Sequence, residues 1–233
     1  MIKVYPAEER HSADHGWLKA NFTFSFADYY DPNNVQFGPM VLLNDDMIEP
    51  LRGFGTHPHD EMEIVSVVLE GHLKHEDNTG QSATTTFGEI QRMSAGTGVL
   101  HSEMNPSPKE KVNLLQMWFL PEEQGIKPSY EKTSFDIEAL KNQLVPVVSK
   151  QPGENVAYIH QDLTIYLSDL EQGKELSFNQ KAERRTMLFV IEGSIKVNDQ
   201  EELRYRDSAR ITETSTLKIK ANQNARFMLI DLP

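Results

Sequence analysis

The chain has 233 residues, enough for one large domain or two smaller ones with a buried core. Its 35 acidic residues outnumber 23 basic ones, and an acidic surface repels phosphate backbones, which argues against direct nucleic-acid binding. It has no cysteine, which excludes disulfides and thiolate metal ligands, and no apolar run approaches the roughly 20 residues that cross a bilayer.

The N-terminal segment Met1–Pro6 gives no sign of a secretory signal, because it lacks an apolar stretch and a small-residue cleavage site. Hydrophobic residues make up 38% of the chain, which is typical of a folded protein. We therefore expect a cytoplasmic protein that binds no membrane.

Alternation of apolar and polar residues, interrupted by Gly and Asn turns, dominates the first half of the chain. Many short strands of this kind predict an antiparallel sandwich or barrel. The predicted strands are Ala20–Phe26, Val41–Leu43, Glu63–Leu69, His72–Glu76, Ala83–Phe87, Ile90–Met93, Val99–Glu103 and Val112–Phe119.

Two pairs of metal-binding residue types stand at alternate positions. His57 and His59 form the first pair, and His101 and Glu103 form the second. Side chains two residues apart share one face of an extended strand, so each pair can converge on one point. Such a set suits a divalent transition metal. Glu63 lies an even number of residues after the first pair, so its side chain could point to the same face as the two histidines.

The other notable side chains near these pairs are predicted to be structural. We expect His72 and His75 to be exposed on the strand that follows the first pair. Met117, Trp118 and Phe119 are expected to fill the core rather than line a ligand pocket.

A helix is predicted at Phe135–Leu144, limited by Pro146, and it makes a natural connector between two domains. The predicted division is an N-terminal metal-binding domain over 1–130, a helical connector over 131–150 and a C-terminal domain without metal ligands over 151–233.

The pattern of the first domain recurs after the connector. Val67–Asp77 is similar to Phe189–Asp199, which starts 122 residues later in the chain, and a repeat at this distance indicates two copies of one domain. The same offset puts Asn179 and Lys181 where the two histidines of the first pair stand. Because an ammonium group is not a usual metal ligand, we expect no metal in the second copy.

The segments around the two pairs also follow the pattern of a known family. They are His15–Leu18, Phe24–Pro32, His57-Pro58-His59, Met62-Glu63, Val68–Gly71, Gly88–Gln91 and Ala95–Glu103. Together they resemble the pirin family of the cupin superfamily, in detail over residues 15–120. The resemblance implies an all-β chain of two tandem cupin domains, each an antiparallel β-barrel or jelly roll, with a short helical connector.

The resemblance also implies one divalent metal held by His57, His59, His101 and Glu103. It points to Fe(II), whereas the donor set alone also suits Mn, Ni, Cu or Zn. Glu103 is the preferred carboxylate, and Glu63 is an alternative, as an occasional ligand or a residue behind the ligands.

Pirin-like bacterial proteins are associated with quercetin 2,3-dioxygenase activity, in which O2 opens a flavonol ring and CO is released. The resemblance thus implies a small aromatic substrate and O2 as partners. In this mechanism the metal acts as a Lewis acid and Glu103 as general base, with Glu63 as second candidate.

A different class of function remains open. Other family members resemble regulators, so the chain could be a metal- or redox-dependent binding protein with a protein partner and no turnover. A cupin isomerase or sugar-binding protein is the third alternative, but no basic cluster that could hold a phosphate accompanies the ligands. We expect a monomer, because two domains of one chain can cover each other.

Overall fold

The computed structural model describes residues 1–181 and 183–233, and its regular structure is almost entirely antiparallel β, as predicted. Two short 3-10 helices lie at Ala7–Glu9 and Glu138–Leu140. The strands are β1 (Ile2–Tyr5), β2 (His11–Asp14), β3 (Leu18–Phe22), β4 (Met40–Ile48), β5 (Gly53–His59), β6 (Glu63–Glu70), β7 (Leu73–Asp77), β8 (Ser82–Thr85), β9 (Glu89–Ser94), β10 (Val99–Met104), β11 (Val112–Phe119), β12 (Ser129–Ser134), β13 (Val145–Ser149), β14 (Ala157–Tyr158), β15 (Thr164–Leu170), β16 (Glu175–Asn179), β17 (Arg185–Glu192), β18 (Ile195–Val197), β19 (Glu201–Leu203), β20 (Ser208–Ile211), β21 (Thr216–Ala221) and β22 (Ala225–Leu232).

The chain forms two compact units. The N-terminal unit consists of His11–Phe135 and Lys150–Gln161, and the C-terminal unit consists of Met1–Arg10, Asp136–Ser149 and Asp162–Pro233. Both units are therefore discontinuous in sequence, whereas the sequence analysis divided the chain into three consecutive segments.

The N-terminal unit contains two antiparallel sheets with the strand orders β12-β9-β6-β11-β4-β3-β2 and β5-β10-β7-β8. β11 has the predicted bounds and is central in the larger sheet, so it is buried along nearly its whole length. The core between the sheets contains Leu18, Ile48, Leu73 and Leu114. The smaller sheet places β5 at an edge beside β10, and this pair carries the candidate ligands.

The C-terminal unit repeats this strand order. Its sheets run β1-β20-β17-β22-β15-β13 and β16-β21-β18-β19, so that β16 and β21 take the places of β5 and β10. This correspondence confirms the predicted duplication. Apolar side chains of these strands pack into the core of the unit: Leu176, Phe178, Leu217, Ile219 and Ala221.

The offset used to compare the two copies does not hold on β16. Asn179 and Lys181, which the offset placed opposite the histidine pair, are both exposed. Leu176 and Phe178 have the parity that faces the core instead. The second copy therefore has apolar residues in the positions that correspond to the candidate ligand strand.

The helix predicted at Phe135–Leu144 does not form, and only one 3-10 turn is present at Glu138–Leu140. The chain leaves this turn at Asn142, which adopts a φ of 56°, and its backbone N–H donates to Asp169 at 2.7 Å. The Asn142 side chain also hydrogen-bonds Glu171. A ten-residue helix is marginal in isolation, so these tertiary contacts decide the conformation.

Within the described ranges, no helix combines the length and the hydrophobicity needed to span a membrane.

Candidate metal centre

The two pairs of candidate ligands lie on neighbouring strands. β5 carries His57 and His59. β10 carries His101 and Glu103, and the register places His101 opposite His57. His101 and Glu103 are each 2% exposed, which matches the predicted alternation. Pro58 between the two histidines has no N–H to donate, and this is tolerated because β5 is an edge strand.

The three histidines form a compact cluster. The ring centroid of His57 lies 4.5 Å from that of His101 and 4.8 Å from that of His59. The Nε2 atoms of His57 and His101 are 3.0 Å apart. One nitrogen from each of the three rings lies within 4.8 Å of the others, close enough to share one ion.

A backbone carbonyl fixes the tautomer of His57. Its Nδ1 lies 2.8 Å from the carbonyl oxygen of Gly55. A carbonyl oxygen only accepts hydrogen bonds, so Nδ1 carries the proton. In neutral His57, the lone pair is therefore on Nε2, which faces the other histidines.

A chain of two hydrogen bonds fixes His101 in the same way. His101 Nδ1 lies 3.3 Å from His75 Nδ1, and His75 Nε2 lies 2.9 Å from Asp77 Oδ2. Burial raises the pKa of Asp77, but hydrogen bonds from His75, Thr79 and Gln81 outweigh this and lower the pKa. The Asp77 carboxylate therefore accepts from His75 Nε2–H. His75 Nδ1 then accepts from His101 Nδ1–H, leaving the His101 Nε2 lone pair for the site.

The expectation that His75 is exposed is therefore wrong. Its side chain is fully buried, and its ring stacks on Tyr130 with centroids 4.4 Å apart. His72 is exposed, as expected. The alternation of Leu73, His75 and Asp77 on β7 was the signal in the sequence, but only the pairing of β7 with β10 shows what His75 meets.

The protonation of the cluster also suits a metal. Burial and the neighbouring imidazoles lower the pKa of His101 to about 3. Burial, followed by the effect of His57, lowers the pKa of His59 to about 4. With neutral rings, two Nε2 lone pairs face each other at 3.0 Å, and a shared cation relieves this repulsion. The nitrogen donor set thus fits a divalent transition metal.

Glu103 belongs to an overlapping group and is held by two amides. Its carboxylate lies within 4.8 Å of donor nitrogens of His75 and His101. Oε1 accepts from Gln91 Nε2 at 2.7 Å, and Oε2 accepts from Gln116 Nε2 at 2.6 Å. The structure thus brings Glu103 beside His101, in a fixed orientation that the sequence analysis did not anticipate.

Glu63 is not brought to the histidines. Its Oε2 accepts from Ser94 Oγ at 3.0 Å, and its Oε1 lies 3.2 Å from His160 Nδ1. Burial raises the pKa of Glu63, and these partners offset the effect only in part. Its neighbour Ile64 packs into the core with Trp118, so Glu63 faces the other side of the sheet. This placement corrects the expectation of a second base or occasional ligand at this position.

A cavity of about 400 Å³ lies beside the cluster. Its wall includes Trp118, whose ring lies 4.9 Å from that of His59 and 5.4 Å from that of Phe26. Trp118 thus lines the cavity in addition to packing against the core, as predicted for it, and Met117 and Phe119 are fully buried as predicted. The complete lining is Trp17, Phe26, Asn44, Asp46, Gly53, Phe54, Gly55, His57, His59, Glu103, Gln116 and Trp118.

The cavity contains two polar residues that the sequence analysis missed. Asn44 and Asp46 lie on β4, which was predicted to end at Leu43 because Asn and Asp are rare in strands. Burial raises the pKa of Asp46 well above its usual value, and the charges of Asp45 and Glu103 add to this effect.

Comparison with known proteins agrees with this architecture. Residues 5–119 match the family model described as Pirin, and residues 146–232 match that of the Quercetinase C-terminal cupin domain. The chain is 42% identical over 233 residues to the Quercetin 2,3-dioxygenase of Escherichia coli (strain K12), which covers 100% of this chain and 99% of that protein. It is 36% identical over 232 residues to the Pirin-like protein of Caulobacter vibrioides, with 99% of each covered.

Among solved structures, the bacterial pirin YhhW from Escherichia coli in complex with nickel(II) superposes with a TM-score of 0.95 and 40% identity. The alignment covers 100% of this chain and 99% of that one. Because relatives of this identity match the chain over its full length, and its two halves match the pirin and cupin family models, the chain belongs to the pirin family.

Proposed function

We propose that this chain is a metal-dependent dioxygenase of the quercetin 2,3-dioxygenase type, which opens the ring of flavonols or of similar aromatic enediol-like substrates. The observation that carries the proposal is the convergence of three imidazoles beside a cavity walled by aromatic rings. The name of the Escherichia coli relative supports the reaction class.

His57, His59 and His101 would hold the metal through nitrogen, with Glu103 as the carboxylate of the set. Fe(II) is the metal we propose. A bound divalent metal supplies Lewis acidity toward the 3-hydroxyl and 4-carbonyl oxygens of a flavonol.

Glu103 is proposed as the general base. Each of its oxygens accepts one amide N–H, from Gln91 or Gln116, and each has a further lone pair. The carboxylate can therefore take the proton of the 3-hydroxyl group at Oε1 or Oε2. The two amides hold it in the orientation that this transfer needs.

The aromatic wall orients the substrate and excludes water. Phe26 and Phe54 lie on the wall with Trp118, and an apolar cavity of about 400 Å³ suits a flat aromatic ligand. Exclusion of water protects the electron-rich flavonolate from reprotonation before O2 reacts.

Turnover of quercetin tests the proposal. Protein reconstituted with Fe(II) should consume quercetin and O2 and release one CO per flavonol opened. His101→Ala and Glu103→Ala should abolish CO release, and His72→Ala, at an exposed position, should leave it unchanged. The proposal is wrong if protein reconstituted in turn with Fe, Mn, Ni, Cu and Zn releases no CO.

A further inference from the structure

A second cavity of about 270 Å³ adjoins the one beside the histidines. Five side chains line both cavities, and we refer to the two adjoining spaces together as the cleft. They are Trp17, Phe26, Asn44, Asp46 and Phe54. His57, His59 and Glu103 line only the first cavity. The shared residues therefore lie between these proposed ligands and the second cavity.

Asn44 and Asp46 are the polar members of this shared wall. They are only 5% and 3% exposed. Among the residues that the structure describes, Oδ1 of Asn44 and Oδ1 of Asp46 have no hydrogen-bond partner. Buried polar atoms in folded proteins are nearly always paired, so two unpaired groups on one cavity wall indicate that a ligand supplies the partner.

Gln116, the neighbouring polar residue on the same face that lines the first cavity, is already engaged. The register places Asn44 opposite Gln116, and Gln116 opposite Ser66 on β6. Gln116 donates to Glu103 and accepts from the indole N–H of Trp118 at 3.2 Å. Asn44 and Asp46 thus remain as the polar side chains of β4 that can meet a ligand in the cleft.

We propose that Asn44 and Asp46 form a polar subsite that binds a ring hydroxyl group of the substrate, distinct from the two oxygens directed at the metal. The proposal rests on the proposed function. The Asn44 amide offers a donor and an acceptor, and the Asp46 carboxyl offers acceptor oxygens, which matches a phenolic hydroxyl. The subsite makes the cleft selective for polyhydroxylated aromatic substrates, because an analogue without this hydroxyl leaves both groups unpaired.

Intrinsic fluorescence reports on this cleft directly. The chain has two tryptophans, Trp17 and Trp118, and both line it. Metal-loaded protein can be titrated without O2, so that binding is measured apart from turnover. Quercetin and 3-hydroxyflavone form a suitable pair of probes, because both have the 3-hydroxyl and 4-carbonyl oxygens and only quercetin has further ring hydroxyls.

We expect the wild type to bind quercetin about tenfold or more tightly than 3-hydroxyflavone, the value of one good hydrogen bond. Asn44→Leu and Asp46→Leu should bring the ratio of the two dissociation constants close to one, with little change for 3-hydroxyflavone. Asp46→Asn, which keeps an acceptor oxygen on a side chain of nearly the same shape, should retain the preference.

Ser66→Ala is the matched control. Ser66 Oγ is also buried without a partner on this face of the sheet, but it lines neither cavity. This variant should keep the wild-type ratio. Circular dichroism checks folding, and Asn44→Ala and Asp46→Ala remove the same groups without added bulk if the leucine variants do not fold.

The possible failures are distinguishable. An unchanged preference in folded Asn44 and Asp46 variants, in a protein that binds and opens quercetin, overturns the subsite alone. A wild type that binds neither flavonol and releases no CO overturns the proposed function and the subsite with it.

Discussion

At the scale of single residues, two of the three imidazoles of the centre depend on a neighbour that positions them. The carbonyl of Gly55 orients His57, and the Asp77–His75 pair orients His101. Both contacts leave an Nε2 lone pair toward the other histidines of the cluster. The group that hydrogen-bonds one ring nitrogen of a metal-binding histidine therefore decides whether the other nitrogen is free to bind the ion.

Replacement of His75 should weaken metal binding although His75 is not a proposed ligand. His75→Phe keeps a ring that can stack on Tyr130 and removes the acceptor for His101 Nδ1–H. Loss of such a partner typically costs about 10–100-fold in metal affinity. Competition with a chromophoric chelator measures the dissociation constant, and His72→Phe at the exposed position is the control. Equal affinity in the wild type and His75→Phe would contradict this role.

Glu63 should make stability depend on pH. Its folded-state pKa lies above the ordinary value of 4.5, so the folded protein binds this proton more tightly than the unfolded chain does. The resulting stability is complete below the ordinary pKa and is lost as pH rises through the raised one. The neutral amide of Glu63→Gln avoids this loss.

Urea unfolding of both proteins, with a chelator present, measures the effect from about pH 4.5 to about pH 8. We expect the free energy of unfolding of Glu63→Gln, relative to that of the wild type, to increase as pH rises. Parallel pH profiles would show that Glu63 ionises with its ordinary pKa.

At the scale of elements, the centre depends on the close approach of β5 and β10. Gly53 makes this approach possible, because a Cβ atom there would lie 2.2 Å from the carbonyl oxygen of Glu103 and 2.6 Å from the Cα atom of Met104. Any side chain at position 53 would therefore clash with the backbone of β10 at Glu103. To relieve this clash, β5, which carries the histidine pair, would have to move away from β10.

Gly53→Ala should both destabilise the fold and weaken metal binding. Overpacking of this kind costs about 1–3 kcal/mol. Gly55→Ala is the matched control on the same strand, since a Cβ atom there meets nothing within 4 Å. Thermal unfolding and chelator competition measure the two effects. The same loss in both glycine variants would mean that the close approach at Gly53 has no special role.

The strands that alternate regularly could be predicted from sequence, and those that carry site residues less well. Val112–Phe119 was predicted with its observed bounds, because a short segment rich in apolar residues specifies a buried central strand. β4 continues to Ile48 through Asn44 and Asp46, which lay outside the predicted strand Val41–Leu43. The two pairs at alternate positions could be found locally, whereas His75 and Gln116 required knowledge of which strands pair.

At the scale of the whole molecule, one fold occurs twice with different interiors. The smaller sheet of the N-terminal unit carries imidazole and carboxylate groups, and the corresponding strands β16 and β21 of the C-terminal unit carry Leu176, Phe178, Leu217 and Ile219. Apolar packing stabilises the second unit without a ligand. The first unit has buried polar groups in the same place and gains stability when a ligand binds them.

Metal removal should therefore affect the two units differently. A metal at 100 times its dissociation constant stabilises the state that binds it by about 2.7 kcal/mol. Amide hydrogen exchange should slow in Gly53–His59 and Val99–Met104 when metal is added and recover with a chelator. Exchange in Glu175–Asn179 should not change. Equal protection of the latter segment would contradict a centre confined to the N-terminal unit.

The position of β1 has a consequence for synthesis of the protein. This strand is translated before the other strands described here, yet it pairs with β20 at Ser208–Ile211. A nascent chain thus carries an unpaired strand throughout translation, and an open edge can pair with a neighbouring molecule. The C-terminal unit can be completed only when its last residues emerge, so slow translation prolongs exposure to misassembly.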